Sequence, residues 1–129
     1  MHRVTGIGGI FFKAKDPAAL SAWYEKHLGI QRDPSGESAS FRWREIETGR
    51  EGMTVWSAFK QDTRYFDPSK SPFMINYRVE NLEELLAALK AEGVEANPKR
   101  EDSEYGRFAW IMDPEGNRIE LWEPPKPAA

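Results

Sequence analysis

The chain carries one pattern twice, as Ile10-Phe11-Phe12-Lys13-Ala14-Lys15-Asp16 and as Ile75-Asn76-Tyr77-Arg78-Val79-Glu80-Asn81. In each copy an apolar strand leads through a basic residue to a side chain that suits the cap of a helix, Asp16 or Asn81. A constant offset of 65 residues superimposes the two stretches. Because self-similarity of this kind marks a supersecondary unit that occurs more than once, the sequence predicts two related modules, with a site where they meet.

An amphipathic helix follows each cap and stops at a glycine, Gly29 in the first module and Gly93 in the second. Short strands with turn residues between them complete each module. The sequence therefore predicts one domain over residues 1–129, with modules at about 4–62 and 72–124 joined by a loop. Two aromatic residues in this loop, Tyr65 and Phe66, are unusual for a linker, and they either cap a pocket or pack down on the protein.

Composition excludes several classes of function. The 129 residues contain no cysteine, which excludes disulfides, thiolate zinc sites and cysteine nucleophiles. The net charge is −3 with basic and acidic residues interspersed, so no nucleic acid is expected as a partner. No apolar run approaches the roughly 18 residues of a membrane span, so we expect no membrane partner and a cytoplasmic location.

Alternation along two strands predicts which side chains share a face. Phe73, Ile75, Tyr77 and Val79 are apolar, whereas Met74, Asn76 and Arg78 lie on the opposite face of the same strand. Near the end of the chain, Glu120 stands between Ile119 and Leu121, which suit the core. Glu120 is therefore predicted to face away from the core, together with Arg118 and Trp122.

These motifs resemble the vicinal oxygen chelate superfamily, which includes glyoxalases, bleomycin-resistance proteins, extradiol dioxygenases and epimerases. The resemblance is strongest over residues 16–29 and over Asp113-Pro114-Glu115-Gly116-Asn117-Arg118-Ile119-Glu120-Leu121. It implies an α+β fold in which two paired β-α-β-β-β modules form a sheet curled into a cup, with the site inside. Because members of the superfamily often dimerise, it also implies a homodimer.

The resemblance also implies where a divalent metal would be held, on four strand positions. Those positions fall on Gly9, near Trp56, on Met74 and on Glu120, and only Glu120 is a ligand of the usual kind. Glycine has no side chain, indole offers no lone pair and a thioether suits only soft ions. No cofactor is therefore expected, and a divalent metal stays the alternative.

Aromatic and apolar side chains are expected to line the cup in place of a metal site. The expected ligand-binding residues are Phe11, Trp56, Met74, Asn76, Arg78 and Trp110, with Trp43 as an alternative to Trp110 and Lys13 as a further polar member. A mostly apolar concavity with a few polar groups is typical of a small-molecule site. Glu120 is the candidate acid or base, and a salt bridge from Glu120 to Arg78 or Lys13 is the structural alternative.

Three hypotheses on function follow. The first is a metal-independent protein that binds, and transforms, a small organic molecule in the aromatic cup. The second is a metal-dependent glyoxalase-like lyase or dioxygenase that recruits Glu45 or Glu47 beside Glu120. The third is a protein that sequesters a drug or metabolite without catalysis, and nothing in the sequence separates the first from the third.

Overall fold

The computed structural model describes residues 3–34, 36 and 38–126. The elements follow in the order β1 (Val4–Ala14), α1 (Pro17–Leu28), β2 (Ser38–Arg44), β3 (Glu51–Lys60), β4 (Phe73–Val79), α2 (Leu82–Ala91), β5 (Glu101–Ser103), β6 (Gly106–Met112) and β7 (Arg118–Glu123). Their strands form one curled sheet in the order β2-β3-β1-β4-β7-β6-β5. Strands β1 and β3 are parallel, as are β4 and β7, and all other neighbours are antiparallel.

The two repeated stretches meet along the antiparallel pair β1–β4, in the middle of the sheet. Ile10 lies opposite Ile75 in this pair, and these two residues are also equivalent under the 65-residue offset. A pseudo-two-fold axis therefore passes through the Ile10–Ile75 pair and relates one module to the other. The predicted α+β fold of paired modules is confirmed, although in the described part of the chain the first module contributes three strands and the second contributes four.

Both helices begin at the predicted caps. The Asp16 carboxylate accepts a hydrogen bond from the backbone N–H of Ala19, and the Asn81 side chain accepts one from the backbone N–H of Glu84. These bonds satisfy donors that have no partner within a helix. At the other end of α1, Gly29 adopts a left-handed conformation with φ 69°, which glycine reaches without a steric cost.

The helices cover one face of the sheet and leave the other face concave. Helix α2 packs on a core of Val79, Leu82, Leu85, Ala109 and Leu121. Met74, Asn76 and Glu120 belong to the opposite face of β4 and β7, as the alternation predicted, and we call this opposite, concave face the cup. Neither helix in the described residues has the length and apolar character that crossing a bilayer requires.

Gly106 is the first residue of β6, the strand that carries Trp110. Its φ is +118°, and a Cβ built on it would lie 2.2 Å from the backbone oxygen of Glu123. Gly116, in the turn before β7, also has a positive φ, of +81°, but nothing lies within 4 Å of the point that a Cβ would occupy there. A substitution at Gly116 would therefore meet backbone strain alone, whereas one at Gly106 would meet both strain and a steric clash with the neighbouring strand.

We expect Gly106→Ala to lower the free energy of unfolding by at least about 3 kcal/mol, because strain and a backbone clash add. The control Gly116→Ala, which meets strain alone, should cost about 1–2 kcal/mol. Urea denaturation followed by circular dichroism measures both. Equal losses in the two variants would contradict the close approach of β7 to Gly106.

Candidate functional site

Glu120 lies at the centre of the cup, and sheet register explains its neighbours. On one side it is in register with Trp110 of β6, and on the other side with Asn76 of β4. Residues opposite each other in neighbouring strands project from the same face. All three side chains are buried, and Glu120 is only 2% exposed.

Three neutral donors satisfy the Glu120 carboxylate. The Asn76 amide donates to Oε1 at 2.7 Å, and the Trp110 indole N–H donates to Oε2 at 2.9 Å. The hydroxyl of Tyr65 donates to Oε2 as well. A buried charge is tolerated when hydrogen bonds replace its hydration, so these donors are what allow a carboxylate here.

Residues 61–72 connect the two modules, and we call them the 61–72 segment. Tyr65 belongs to this segment, and its side chain contacts Glu120. Its ring stacks on Phe59, with 5.7 Å between centroids and 15° between planes, and meets Trp110 edge-on at 6.4 Å. Burial of the phenol, and then the charge of Glu120, raise the pKa of Tyr65 above its ordinary value. The phenol is therefore a protonated donor across the physiological range.

Arg118 binds the backbone of the 61–72 segment. One guanidinium nitrogen donates to the backbone oxygens of Tyr65, at 2.7 Å, and of Asp67, at 2.8 Å. The guanidinium carbon also lies 4.9 Å from the centre of the Trp110 ring, within the range of a cation–π contact. Arg118 thus holds backbone and ring together beside the carboxylate.

Aromatic side chains fill the remaining space of the cup. Phe66 and Met74 have no exposed surface, Trp110 is 2% exposed, and Phe11 and Phe59 pack against this cluster. Glu120 lines none of the four surface clefts of 230–570 Å³, although Trp110 and Arg118 line the smallest of them and Phe59 lines another. Tyr65 and Phe66 therefore pack down on the cup, which settles the choice that the sequence left open.

The predicted cations make their contacts away from Glu120. Arg78 forms an ion pair with Glu45 at 3.1 Å and lies 5.5 Å from the centre of the Trp43 ring. The Lys13 ammonium lies 5.6 Å from the centre of the Phe66 ring. Glu120 takes part in no ion pair within the described ranges, so the salt bridge expected as the structural alternative is wrong.

The positions where the resemblance places metal ligands do not fit a metal. A Cβ on Gly9 would lie 2.6 Å from the Phe11 ring, and Met74 is enclosed by Phe66 and Trp110. No group of three or more histidine, aspartate or glutamate side chains that could hold a metal ion occurs in the described part of the chain. Glu45, one of the recruits considered for such a site, is bound to Arg78.

The predicted placement of Trp56 in the cup is wrong. Its ring contacts Phe12 at 5.1 Å and Tyr24 of α1 at 5.0 Å, so it lies on the face that the helices cover. The residue of β3 in register with Phe11 is Ser57, and a shift of one residue moves a strand's side chain to the other face. The other predicted residues Phe11, Met74, Asn76 and Trp110 contact the cup, and their roles in ligand binding stay predictions.

Sequence reasoning missed two contributors, namely Phe59 and the role of Tyr65. Tyr65 stood out as an aromatic residue in a polar linker, but a loop has no period that predicts the direction of a side chain. Arg118 lies on the predicted face with Glu120 and contacts Trp110, but its bonds to the backbone of the 61–72 segment were not predicted.

The fold and this arrangement define a cup protein of the vicinal oxygen chelate superfamily. A family model described as a glyoxalase-like domain matches residues 9–122, and the chain belongs to this family. A comparison with curated protein sequences gave no match.

Solved structures share the fold at low identity. A methylmalonyl-CoA epimerase variant from Streptomyces coelicolor, in complex with 2-nitronate-propionyl-CoA, is 15% identical over 98% of this chain and 99% of its own, with a TM-score of 0.68. The methylmalonyl-CoA epimerase from Mycobacterium tuberculosis is 18% identical over 98% and 92%, with a TM-score of 0.60. The NAD-dependent benzaldehyde dehydrogenase structure from Legionella pneumophila is 16% identical over 91% and 98%, with a TM-score of 0.58. These likenesses show the fold.

The network around Glu120 makes its two simplest substitutions differ. The Oδ1 atom of Asn76 is buried without a hydrogen-bond partner, so an Asn76 amide turned over can accept a bond from a glutamine at position 120. We therefore expect Glu120→Gln to lower the free energy of unfolding by less than about 1 kcal/mol, because the three bonds to the side chain at position 120 are kept. Glu120→Leu leaves the buried donors of Trp110 and Asn76 without an acceptor and should lower the free energy of unfolding by at least about 2 kcal/mol more than Glu120→Gln does.

Chemical denaturation of both variants measures this difference. Leucine and glutamine variants of equal stability would show that the donors do not depend on the carboxylate.

Proposed function

We propose that this protein binds a small organic molecule in the cup, with the Glu120 carboxylate as its polar anchor and without a divalent metal. The observation that carries the proposal is a buried carboxylate whose bonded partners are neutral donors rather than a cation. An apolar site with one or two fixed polar groups is the usual form of a small-molecule site. The Streptomyces coelicolor epimerase variant, which shares the fold, is in complex with a small molecule, 2-nitronate-propionyl-CoA, and this supports small-molecule binding.

The bonding of Glu120 favours binding over catalysis as the primary role. A carboxylate has about four lone-pair positions, and three are taken by Tyr65, Trp110 and Asn76. A general base needs a lone pair directed at the proton that it removes. Acid–base chemistry at Oε2, whose two lone pairs are taken by Tyr65 and Trp110, therefore requires a donor to leave first, whereas binding needs only an exchange of one donor for another.

The metal-free part of the proposal rests on the donor set. A divalent cation takes several carboxylates or imidazoles at about 2.0–2.6 Å. Of the four positions that the resemblance supplies, one carries a carboxylate, and its oxygens accept bonds from amide, indole and phenol donors. A metal at this site would have to displace those donors without gaining further protein ligands.

Screening of an aromatic and aliphatic fragment library by ligand-observed NMR tests this proposal, with elemental analysis of protein purified without chelator. We expect fragments whose binding weakens at least about tenfold in Glu120→Gln, because bonds to a charged acceptor are roughly twice as strong as neutral ones. Glu104→Gln, on the exposed β5–β6 turn, is the matched control and should bind as the wild type does. One equivalent of a transition metal, or fragments indifferent to both substitutions, would contradict the proposal.

The proposal includes a cytoplasmic homodimer. Large apolar side chains remain exposed along the central strands, with Ile7 at 39%, Ile10 at 42% and Phe73 at 39%. Ile10 and Phe73 lie on the adjacent strands β1 and β4, and large apolar side chains exposed close together are typical of a protein–protein contact. A second copy of the chain can cover these side chains by a two-fold contact.

Sedimentation velocity measures the oligomeric state. We expect a dimer in the wild type and a shift to monomer in Ile10→Lys, because a charge would be buried at the centre of the contact. Ile46→Lys, at a fully exposed isoleucine on the β2–β3 turn, should leave the dimer intact. A wild type that stays monomeric at about 100 micromolar, a concentration at which even weak dimers form, would refute this part of the proposal.

A further inference from the structure

Tyr65 has the position that a bound ligand would have under the proposed function. It comes from the 61–72 segment rather than from the sheet, it lies flat on Phe59, and it bonds to the buried carboxylate. Trp110 and Phe66 meet this ring edge to face, and the Arg118 guanidinium lies over it. A ring with one polar atom directed at Glu120 thus already occupies the space beside the buried carboxylate.

The polar atoms around this ring specify what can replace it. Glu120 Oε2 accepts the Tyr65 bond, and the Arg118 guanidinium carbon lies 6.0 Å from the centre of the Tyr65 ring. A group that replaces the phenol therefore needs a donor for Oε2. An anionic ligand would place a second negative charge beside Glu120 in a site that excludes water, which costs far more than in solution.

The aromatic walls specify the shape. The Phe59 ring lies nearly parallel to Tyr65, at 15°, and leaves a slot for a flat ring. Aromatic rings gain about 0.5–1.5 kcal/mol from stacked or edge-on partners beyond the area that they bury. An aliphatic ligand would lose these aromatic contacts with Phe59 and Trp110.

We propose that the natural ligand is a neutral aromatic molecule carrying an O–H or N–H donor, and that it binds by displacing the Tyr65 side chain from Glu120. This inference rests on the proposed function and adds the chemical class of the ligand and the side chain with which it competes. The exchange makes and breaks one hydrogen bond to Oε2, so no bond to the buried carboxylate is lost. Arg118, which holds the backbone oxygens of Tyr65 and Asp67, sets how readily the ring leaves.

The test uses p-cresol, which reproduces the tyrosine side chain, and its methyl ether 4-methylanisole, which lacks the donor. In the wild type we expect p-cresol to bind at least about tenfold more tightly than the ether, and Tyr65→Ala to bind p-cresol at least about tenfold more tightly than the wild type, because the competitor is gone. The control Tyr105→Ala removes a tyrosine that is 68% exposed and should leave both affinities unchanged. The indole N–H resonance of Trp110, assigned with Trp110→Phe, reports events at Glu120.

Equal binding of the two probes to Tyr65→Ala would overturn the inference, as would a wild-type complex that keeps the nuclear Overhauser contacts between Tyr65 and Phe59. The wild-type measurement decides the matter if Tyr65→Ala does not fold. Both results leave the proposed function standing whenever the ligand still depends on Glu120. The proposed function itself is wrong if Glu120→Gln changes the affinity of no ligand of any class.

Discussion

The rest of the site depends on one requirement, that a buried carboxylate keep its lone pairs bonded. Glu120 is 2% exposed, and an unpaired charge at that depth would cost several kcal/mol. Its donors come from β4, from β6 and from the 61–72 segment. The bond from Asn76 crosses the contact between β4 and β7, and the bond from Tyr65 attaches the segment between the modules to the sheet. A single side chain therefore joins the parts of the second half of the fold.

The role that the resemblance implies for Glu120 differs from the bonding that the structure gives it. Where the resemblance implies a metal site, a glutamate at this position is one ligand among four. In this chain Phe11 lies over Gly9, and Phe66 covers Met74. The space for a hydrated cation is thus filled by rings, and the lone pairs that a cation would use are bonded to neutral donors. The residues at the implied ligand positions and the packing of the rings around Glu120 are therefore consistent with each other.

Sequence periodicity predicted the features that repeat and failed for those that do not. The 65-residue offset, the caps at Asp16 and Asn81 and the face of Glu120 followed from the printed sequence, because β4 and β7 are apolar on one face. The face of Trp56 could not be predicted in this way, since β3 has large apolar residues on both faces, Trp56 on one and Phe59 on the other. The register also shifts after the helices, where Ser57 in the first module corresponds to Glu120 in the second. The direction of Tyr65 depends on the bonds that it makes in the folded protein, and no local pattern contains them.

A site that its own tyrosine occupies selects ligands by competition. The free energy that matters is the difference between the ligand-bound cup and the cup closed by Tyr65, not the strength of the ligand's contacts alone. A ring without a donor would leave Oε2 with the Trp110 bond alone, whereas a ring with a donor leaves the count of bonds unchanged. Discrimination between the two then amounts to one hydrogen bond to a charged acceptor, about 1.5–3 kcal/mol or roughly tenfold to a hundredfold in affinity. The closed cup therefore supplies specificity that an open apolar cavity of the same shape would lack.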